Sequence, residues 1–334
     1  MTISGLCDRI DDARDLRLAL IDELRQLVPF ESFAWLLTDP TSEVGVAPIA
    51  DVPCLPDLPR LIRLKYATEL NRWTHQPRPI VRLHSATGGQ LAQSLVWREL
   101  LADYDVRDVA SIVFRDRFGC WAFLDLWSST VFTDEHANIV AGHVPAITAA
   151  LRRCILRTFA RPANDSDRHP WAGPALLVLT DQLEVQGQTA DTDSYLRVLV
   201  PPEGDRPPVP AGAYNVAAQL LANEAGVDDH PPAARVHLDG AEWLFFRAAR
   251  IGADIAVSIE HASPTERLDL FRRSAGLTQR EADLLELVAT GADTRAIAKQ
   301  MFISEHTVQD HLKAIFAKTD TTSRRDLLAR TVIS

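Results

Sequence analysis

The chain has 334 residues, 46% of them hydrophobic and 24% charged, a globular composition that excludes collagen-like, wholly disordered and small disulfide-stapled classes. Single cores stop growing well before this length, so two or three domains are expected. The formal charge of −10 argues, taken whole, against a nucleic-acid binder. It is unevenly spread: residues 1–265 hold 24 basic and 35 acidic side chains, whereas residues 266–334 hold 11 and 10. Three of the four lysines, Lys299, Lys313 and Lys318, fall in that last stretch and only Lys65 precedes it. Cys7, Cys54, Cys120 and Cys154 have no C-x-x-C spacing and read as unpaired thiols of a reducing compartment. Residues 1–9 lack the features of a secretory signal, and no apolar run reaches the roughly 18 residues of a membrane span. The expectation is a cytoplasmic protein with no membrane partner.

Residues 8–28 carry Ile10, Ala13, Leu16, Leu20, Leu24 and Leu27 at helical spacing, ended by Pro29. A strand is expected over 32–38, a helix near 90–104, strands over 108–114 and 120–127, and a long helix over 134–159. From 161 to 170 the chain is rich in Pro, Asn, Asp and Ser and reads as a linker. Beyond it come a hairpin over 175–189, five prolines between 201 and 210, a helix over 214–222, a strand pair over 234–251 bent at Asp239-Gly240, and a strand over 255–260. Ser263-Pro264-Thr265-Glu266 is a capping-box helix start for a helix over 264–275.

From Leu277 onward every local signal agrees. Thr278-Gln279-Arg280-Glu281 is a second capping box, and Gly291 supplies the stop of a helix carrying Leu284, Leu287 and Val288. Asp293 can cap a short helix with Ile297, Ala298 and Met301, and Ser304 can cap the next. On the wheel of that third helix, Val308, Leu312, Ile315 and Phe316 share one side, while His306, Gln309, Asp310 and Lys313 lie roughly opposite. Two helices joined by a short turn, the second with a projecting polar face, are what a helix-turn-helix needs to enter a major groove.

The residues Leu277-Thr278-x-Arg280-Glu281, Gly291, Ile297-Ala298, Ile303-Ser304-x-x-Thr307-Val308-x-x-His311-Leu312, Ile315, Lys318 and Ser323-Arg324 resemble the LuxR-type (GerE-like) four-helix DNA-binding domain over about the last 58 residues. The chain departs from the family pattern at Gln279, where proline is common, and at Ala296, where glutamate often stands. It departs again at Phe302, a common glycine position, and at Thr319-Asp320, where Leu-Gly is usual. The resemblance implies a transcription regulator that binds a two-fold promoter site as a homodimer, with the final helix, here 324–333, at the dimer contact and RNA polymerase as a further partner. Its candidate DNA-binding residues are Ser304, His306, Thr307, Gln309, Asp310, Lys313, Lys318 and Arg324. Asp310 would accept from cytosine or repel a phosphate, narrowing the preferred site.

Ahead of this domain, an acidic pair followed by a phosphorylatable aspartate and a lysine is missing, as is a phosphate-binding G-x-x-x-x-G-K-[ST] loop. Residues 1–160 instead resemble a GAF domain, from the opening amphipathic helix to the Phe132-Thr133-Asp134-Glu135 lead into the last helix. Residues 173–262 resemble a PAS-like domain. With a linker over 161–172, a connecting helix over 263–276 and the helix-turn-helix over 277–334, the fold class is multidomain: two α+β sensor domains and one all-α reader. Phe33, Trp35, Trp121, Phe123 and Trp127 sit at strand spacing with Asp125; such a face is either core packing or an aromatic pocket for a small-molecule ligand.

His136 and His143 read as helix-surface histidines, Asp228-Asp229-His230 as an exposed loop, and no metal or cofactor is expected. No G-x-S-x-G, H-E-x-x-H or supported Cys-His arrangement occurs, so the chain is read as no enzyme. The alternatives are a signalling adaptor that does not bind DNA and, behind it, a small-molecule enzyme using the N-terminal domains.

Overall fold

The computed structural model describes residues 2–160, 175–199, 210–239 and 242–331. The expected linker, most of the proline stretch, Gly240 of the bend and residues 332–334 lie outside the described residues.

The first unit is α+β. Where the sequence suggests one helix over 8–28 there are two, α1 (Ile3–Arg9) and α2 (Ala13–Leu27). The break falls at Asp12, whose carboxylate accepts from the amides of Arg14 and Asp15 and starts a new helix. Strand β1 (Ser32–Thr38) matches its expected span and is followed by β2 (Gly45–Asp51), α3 (Leu58–Ala67), β3 (Ile80–Arg82) and the one-turn helix α4 (Leu83–Ala86). The expected helix over 90–104 is instead α5 (Leu95–Glu99), capped by Ser94 and flanked by two 3-10 turns. Strands β4 (Asp108–Asp116) and β5 (Gly119–Ser128) precede the long α6 (Asp134–Thr158). The sheet is antiparallel in the order β2-β1-β5-β4-β3.

One face of this sheet is sealed by α1, α2 and α6, with Leu16, Leu20, Leu24, Ile147 and Leu151 buried against Ile112, Leu124 and Leu126. Among the described residues, α6 is the one helix long and apolar enough to cross a membrane. Eight of its residues are buried, several of them in the same core as the sheet. The four cysteines are buried and unpaired, and burial pushes the Cys54 thiol up to about 11 and those of Cys120 and Cys154 up to about 12.

The second unit comprises β6 (Ala175–Leu179), β7 (Val185–Gln188), α7 (Ala190–Leu199), α8 (Ala211–Glu224), β8 (Ala233–Asp239), β9 (Glu242–Ile251) and β10 (Asp254–His261). Its antiparallel sheet runs β7-β6-β10-β9-β8. Helix α8 reads AGAYNVAAQLLANE and is buried on nearly every side, as a helix apolar all round must be. Its small side chains let it lie between its own sheet and the α3 and β2 elements of the first unit.

Connecting helix α9 (Pro264–Ser274) starts with the expected capping box: Ser263 accepts from the Glu266 amide and Glu266 accepts from the Ser263 amide. Gly276 stops it in the left-handed region with φ +63, where glycine is favoured, and a Cβ there would lie 2.4 Å from Arg152 Nη1 and 3.3 Å from the Phe118 ring, so a larger residue would have to shift the arginine. Phe159, the C-cap of α6, stacks on Trp243 of β9 at 5.7 Å and meets Phe271 of α9 edge-on at 5.3 Å. Both units and the connector therefore meet in one aromatic junction. The chain ends in four helices, α10 (Gln279–Ala289), α11 (Thr294–Met301), α12 (Glu305–Thr319) and α13 (Arg324–Thr331).

Candidate nucleic-acid interface and sensor cavity

Local sequence positions the reader. Thr278 and Glu281 close the capping box of α10, Asp293 caps α11 through the Ala296 amide, and Ser304 caps α12 through the Thr307 amide. Val308, Leu312 and Ile315 are buried against the other helices, with Phe316 half-buried beside them. The opposite face of α12 is open: the side chains of His306 and Lys313 are 85% and 75% exposed, and Asp310 is 55% exposed between them at 3.6 Å from each. Gln309 is exposed and donates to Thr294 Oγ1 at 3.3 Å, which ties α12 to the start of α11. Phe302 and Asp320 both lie in the left-handed region, with φ of 57 and 51. The turn geometry that suits glycine is thus kept by a phenylalanine and an aspartate, the latter better able to tolerate it.

Two expected contacts are otherwise engaged. The Lys318 ammonium is held by both Glu281 oxygens at 2.6 and 2.8 Å, so this lysine braces α12 against α10 and its charge is largely neutralised. Burial would raise the Glu281 carboxyl, but Lys318 and Thr278 outweigh that and hold it below the usual carboxylate range. Arg324 donates to Thr294 Oγ1 at 3.0 Å; Arg325 beside it is exposed. Thr294 joins the Gln309 and Arg324 side chains and was not marked by the sequence, where it reads only as the residue after a cap. Ser304 and Thr307 share a hydroxyl contact at 2.9 Å at the start of α12.

The profile of the luxR family of bacterial regulatory proteins (GerE) matches residues 275–331. Those residues are a LuxR-family helix-turn-helix domain. Over 55 residues the chain is 44% identical to the monoamine regulon transcriptional regulator of Klebsiella aerogenes, covering 16% of this chain and 24% of that protein. Over 62 residues it is 36% identical to the transcriptional regulatory protein DesR of Bacillus subtilis, covering 19% and 31%. The chain thus spans less than a third of the length of either relative. The crystal structure of Escherichia coli SdiA aligns over 98% of this chain and 94% of that one, at 11% identity and a TM-score of 0.36, too distant to bear on the fold.

The five aromatic residues expected at a ligand pocket divide between the two sheet faces. Phe33 and Trp35 point into the core under α2 and α6, where Trp35 stacks on Phe114 at 5.3 Å. Trp121 joins them: Phe114 pairs with Ala122 and Arg115 with Cys120, so Trp121 is the extra residue of a β-bulge. The bulge turns its ring to the helix side, and its Nε1 donates to Asp116. These three are core residues. Phe123 and Trp127 face the other way and line a cavity of about 270 Å³, near the lower end of small-molecule sites. Asp125 lies between them, its oxygens taken by Ser111 at 2.7 Å and Lys65 at 2.7 Å. Ala211 and Asn215 of α8 complete the wall; they were missed because nothing local in the sequence says that a second unit closes the first.

Two buried polar joints fasten the units. Arg72 and Asp228, both with fully buried side chains, pair at 2.6 Å. Thr74, His230 and Gln219 complete the carboxylate's partners. Burial would raise the Asp228 carboxyl, yet these hydrogen bonds hold it far below the usual range. The expected exposed loop at 228–230 is therefore corrected: Asp229 is exposed, but Asp228 is the anchor of an interface. Elsewhere Arg235 of β8 binds Asp39 of the first unit through two nitrogens at 2.7 Å and Asp269 of α9 at 2.9 Å. Asp39 and Asp269 are both held low, because Arg235 outweighs the effect of their burial. His136 closes the capping box of α6.

Proposed function

We propose that the chain is a sequence-specific transcription regulator that couples a signal sensed by its two N-terminal units to promoter binding as a homodimer. The observation that carries the reading is α12: an apolar side locked into the bundle and an open face presenting His306, Gln309, Asp310 and Lys313. Such a face suits major-groove edges, with Ser304, Thr307 and Arg324 close to the backbone. Lys318 has a bracing role. In this reading residues 1–160 are a GAF-like sensor, residues 173–262 a PAS-like one and residues 277–334 the reader, supported by two five-stranded antiparallel sheets ahead of a helical bundle.

The coupling route is α9. Its Asp269 is bound to Arg235, which is bound to Asp39, so a shift between the sheet units reaches the helix that leads into the reader. Recognition helices must sit about one DNA turn apart to engage a two-fold site, and a modest rotation at α9 changes that spacing. The test is footprinting of the full chain on genomic fragments, which is expected to give a protected two-fold site. Lys313→Ala should weaken binding there by about 1–3 kcal/mol, the scale of a base contact. Unchanged affinity in that variant would remove α12 from the groove.

A further inference from the structure

We infer that the cleft between the β4–β5 turn, α9 and the start of α10 binds a small molecule through a phosphomonoester or pyrophosphate group, and that Arg117 supplies the free guanidinium that takes it up. The cleft has a volume of about 410 Å³, within the range of small-molecule sites. Its walls come from Arg117 and Phe118 of the turn, Arg272 and Arg273 of α9, and Thr278 and Gln279 of the reader. Among the described residues three guanidiniums line it and no carboxylate does. Arg117 is exposed, with its guanidinium carbon 4.6 Å from the Phe118 ring centre. Its side chain has neither an ion pair nor a hydrogen bond among the described residues.

The charges behind the cleft do not balance either. Asp269 serves three arginines at once: Arg235 at 2.9 Å, Arg272 at 2.7 Å and Arg273 at 3.1 Å. Asp39 takes two further nitrogens of Arg235. Asp116, the carboxylate at the turn itself, lies 3.0 Å from Arg152 and also accepts from Trp121 and the Phe118 amide. On the reader side, Gln279 donates to Asp283, and Glu281 holds Lys318. The four guanidiniums of Arg117, Arg235, Arg272 and Arg273 thus stand against the two carboxylates of Asp39 and Asp269, which leaves two positive charges for an anion to neutralise. A phosphomonoester carries about two negative charges at neutral pH, and its oxygens match the planar guanidinium fork in pairs. The walls belong to the first unit, the connecting helix and the reader, so a molecule bound there ties all three together. Its effect on promoter affinity rests on the reading of the chain as a promoter-binding regulator.

Titration calorimetry on the full chain with pyrophosphate, AMP and adenosine, at one fixed ionic strength because exposed charges are screened by salt, tests the site. Pyrophosphate or AMP is expected to bind one per chain, and adenosine not at all; the tighter of the two anions tells a bare phosphate ligand from a nucleotide. Arg117→Ser should weaken that binding at least tenfold, the scale of a charge-assisted hydrogen bond. Its side chain makes no polar contact, so the ligand-free variant should melt with the wild type. Arg60→Ser removes the same charge from an exposed arginine of α3 and should leave the affinity unchanged. Binding of neither anion, equal binding in Arg117→Ser, or an equal loss in Arg60→Ser would overturn the assignment. Binding that passes these tests without altering affinity for the footprinted promoter would support the site and sink the coupling of that site to DNA.

Discussion

The two sheet units share one strand order. Counted from its own first strand, each runs second, first, fifth, fourth, third, all antiparallel. They differ in how the faces are covered. The second sheet buries Leu177, Leu244, Phe246 and Val257 under α8 with α7 alongside, in a packed core that α8 shares with Val46, Ile62 and Tyr66 of the first unit. The first sheet buries one face the same way, under α1, α2 and α6, but its other face keeps a cavity that its own α3 closes only in part and a helix of the second unit completes. Equal topology therefore does not give equal roles. One sheet packs directly on α8, while the other leaves a cavity beside it, and the polar joints between the units hold that arrangement.

Cutting a joint tests this contrast most strongly. Asp228→Asn leaves Arg72 buried and uncompensated and should destabilise the chain by about 3–5 kcal/mol in urea unfolding. The double replacement Arg72→Met with Asp228→Leu should cost far less, because no charge is then stranded; equal losses would show that packing, not charge, joins the units. A smaller effect belongs to the reader. Phe302 is 94% exposed with φ 57, so Phe302→Gly should relieve a left-handed strain and stabilise the chain by about 1 kcal/mol. A lower melting temperature would mean that the ring packs.

The smallest expected effect is on pH dependence, which has opposite signs in the two regions. The hydrogen bond to Asp228 raises the His230 pKa against its partial burial. Its contribution is therefore full below the unfolded value of about 6.5 and fades as pH rises through the higher folded one. Glu281, held low, contributes above its unfolded value and loses that contribution as pH falls through the folded one. Between about pH 6 and 8.5 the wild-type melting temperature should fall relative to that of His230→Asn. Parallel curves would take the histidine out of the joint.

What the sequence made legible was local. The capping boxes at Ser263 and Thr278, the caps at Asp293 and Ser304, and the apolar stripe of α12 each depend on residues a few positions apart, and the structure has them at those positions. Strands β1, β4 and β5 were visible for the same reason. The cavity was not, because it depends on which face of β5 each aromatic takes. A single extra residue at the Trp121 bulge reverses the alternation on which that reading depended. Asp228 was hidden more deeply: its partner Arg72 is 156 residues away in the sequence. Strand β2 and helix α3 went unmarked, since Gly45, Pro48 and Pro59 break the patterns that would announce them.

The seam at Gly276 bears on how far the reader can be transplanted. Phe118 and Arg152 of the first unit close over that glycine, Arg273 donates to the Phe118 carbonyl at 3.0 Å, and Arg152 donates to the Ser274 carbonyl. A chimera cut at the family boundary near residue 275 would carry the four reader helices but leave this clasp behind. A cut at the cap of α9 would keep Arg273 and Ser274 with the reader but would still leave Phe118 and Arg152 behind, so every boundary short of the first unit divides the clasp.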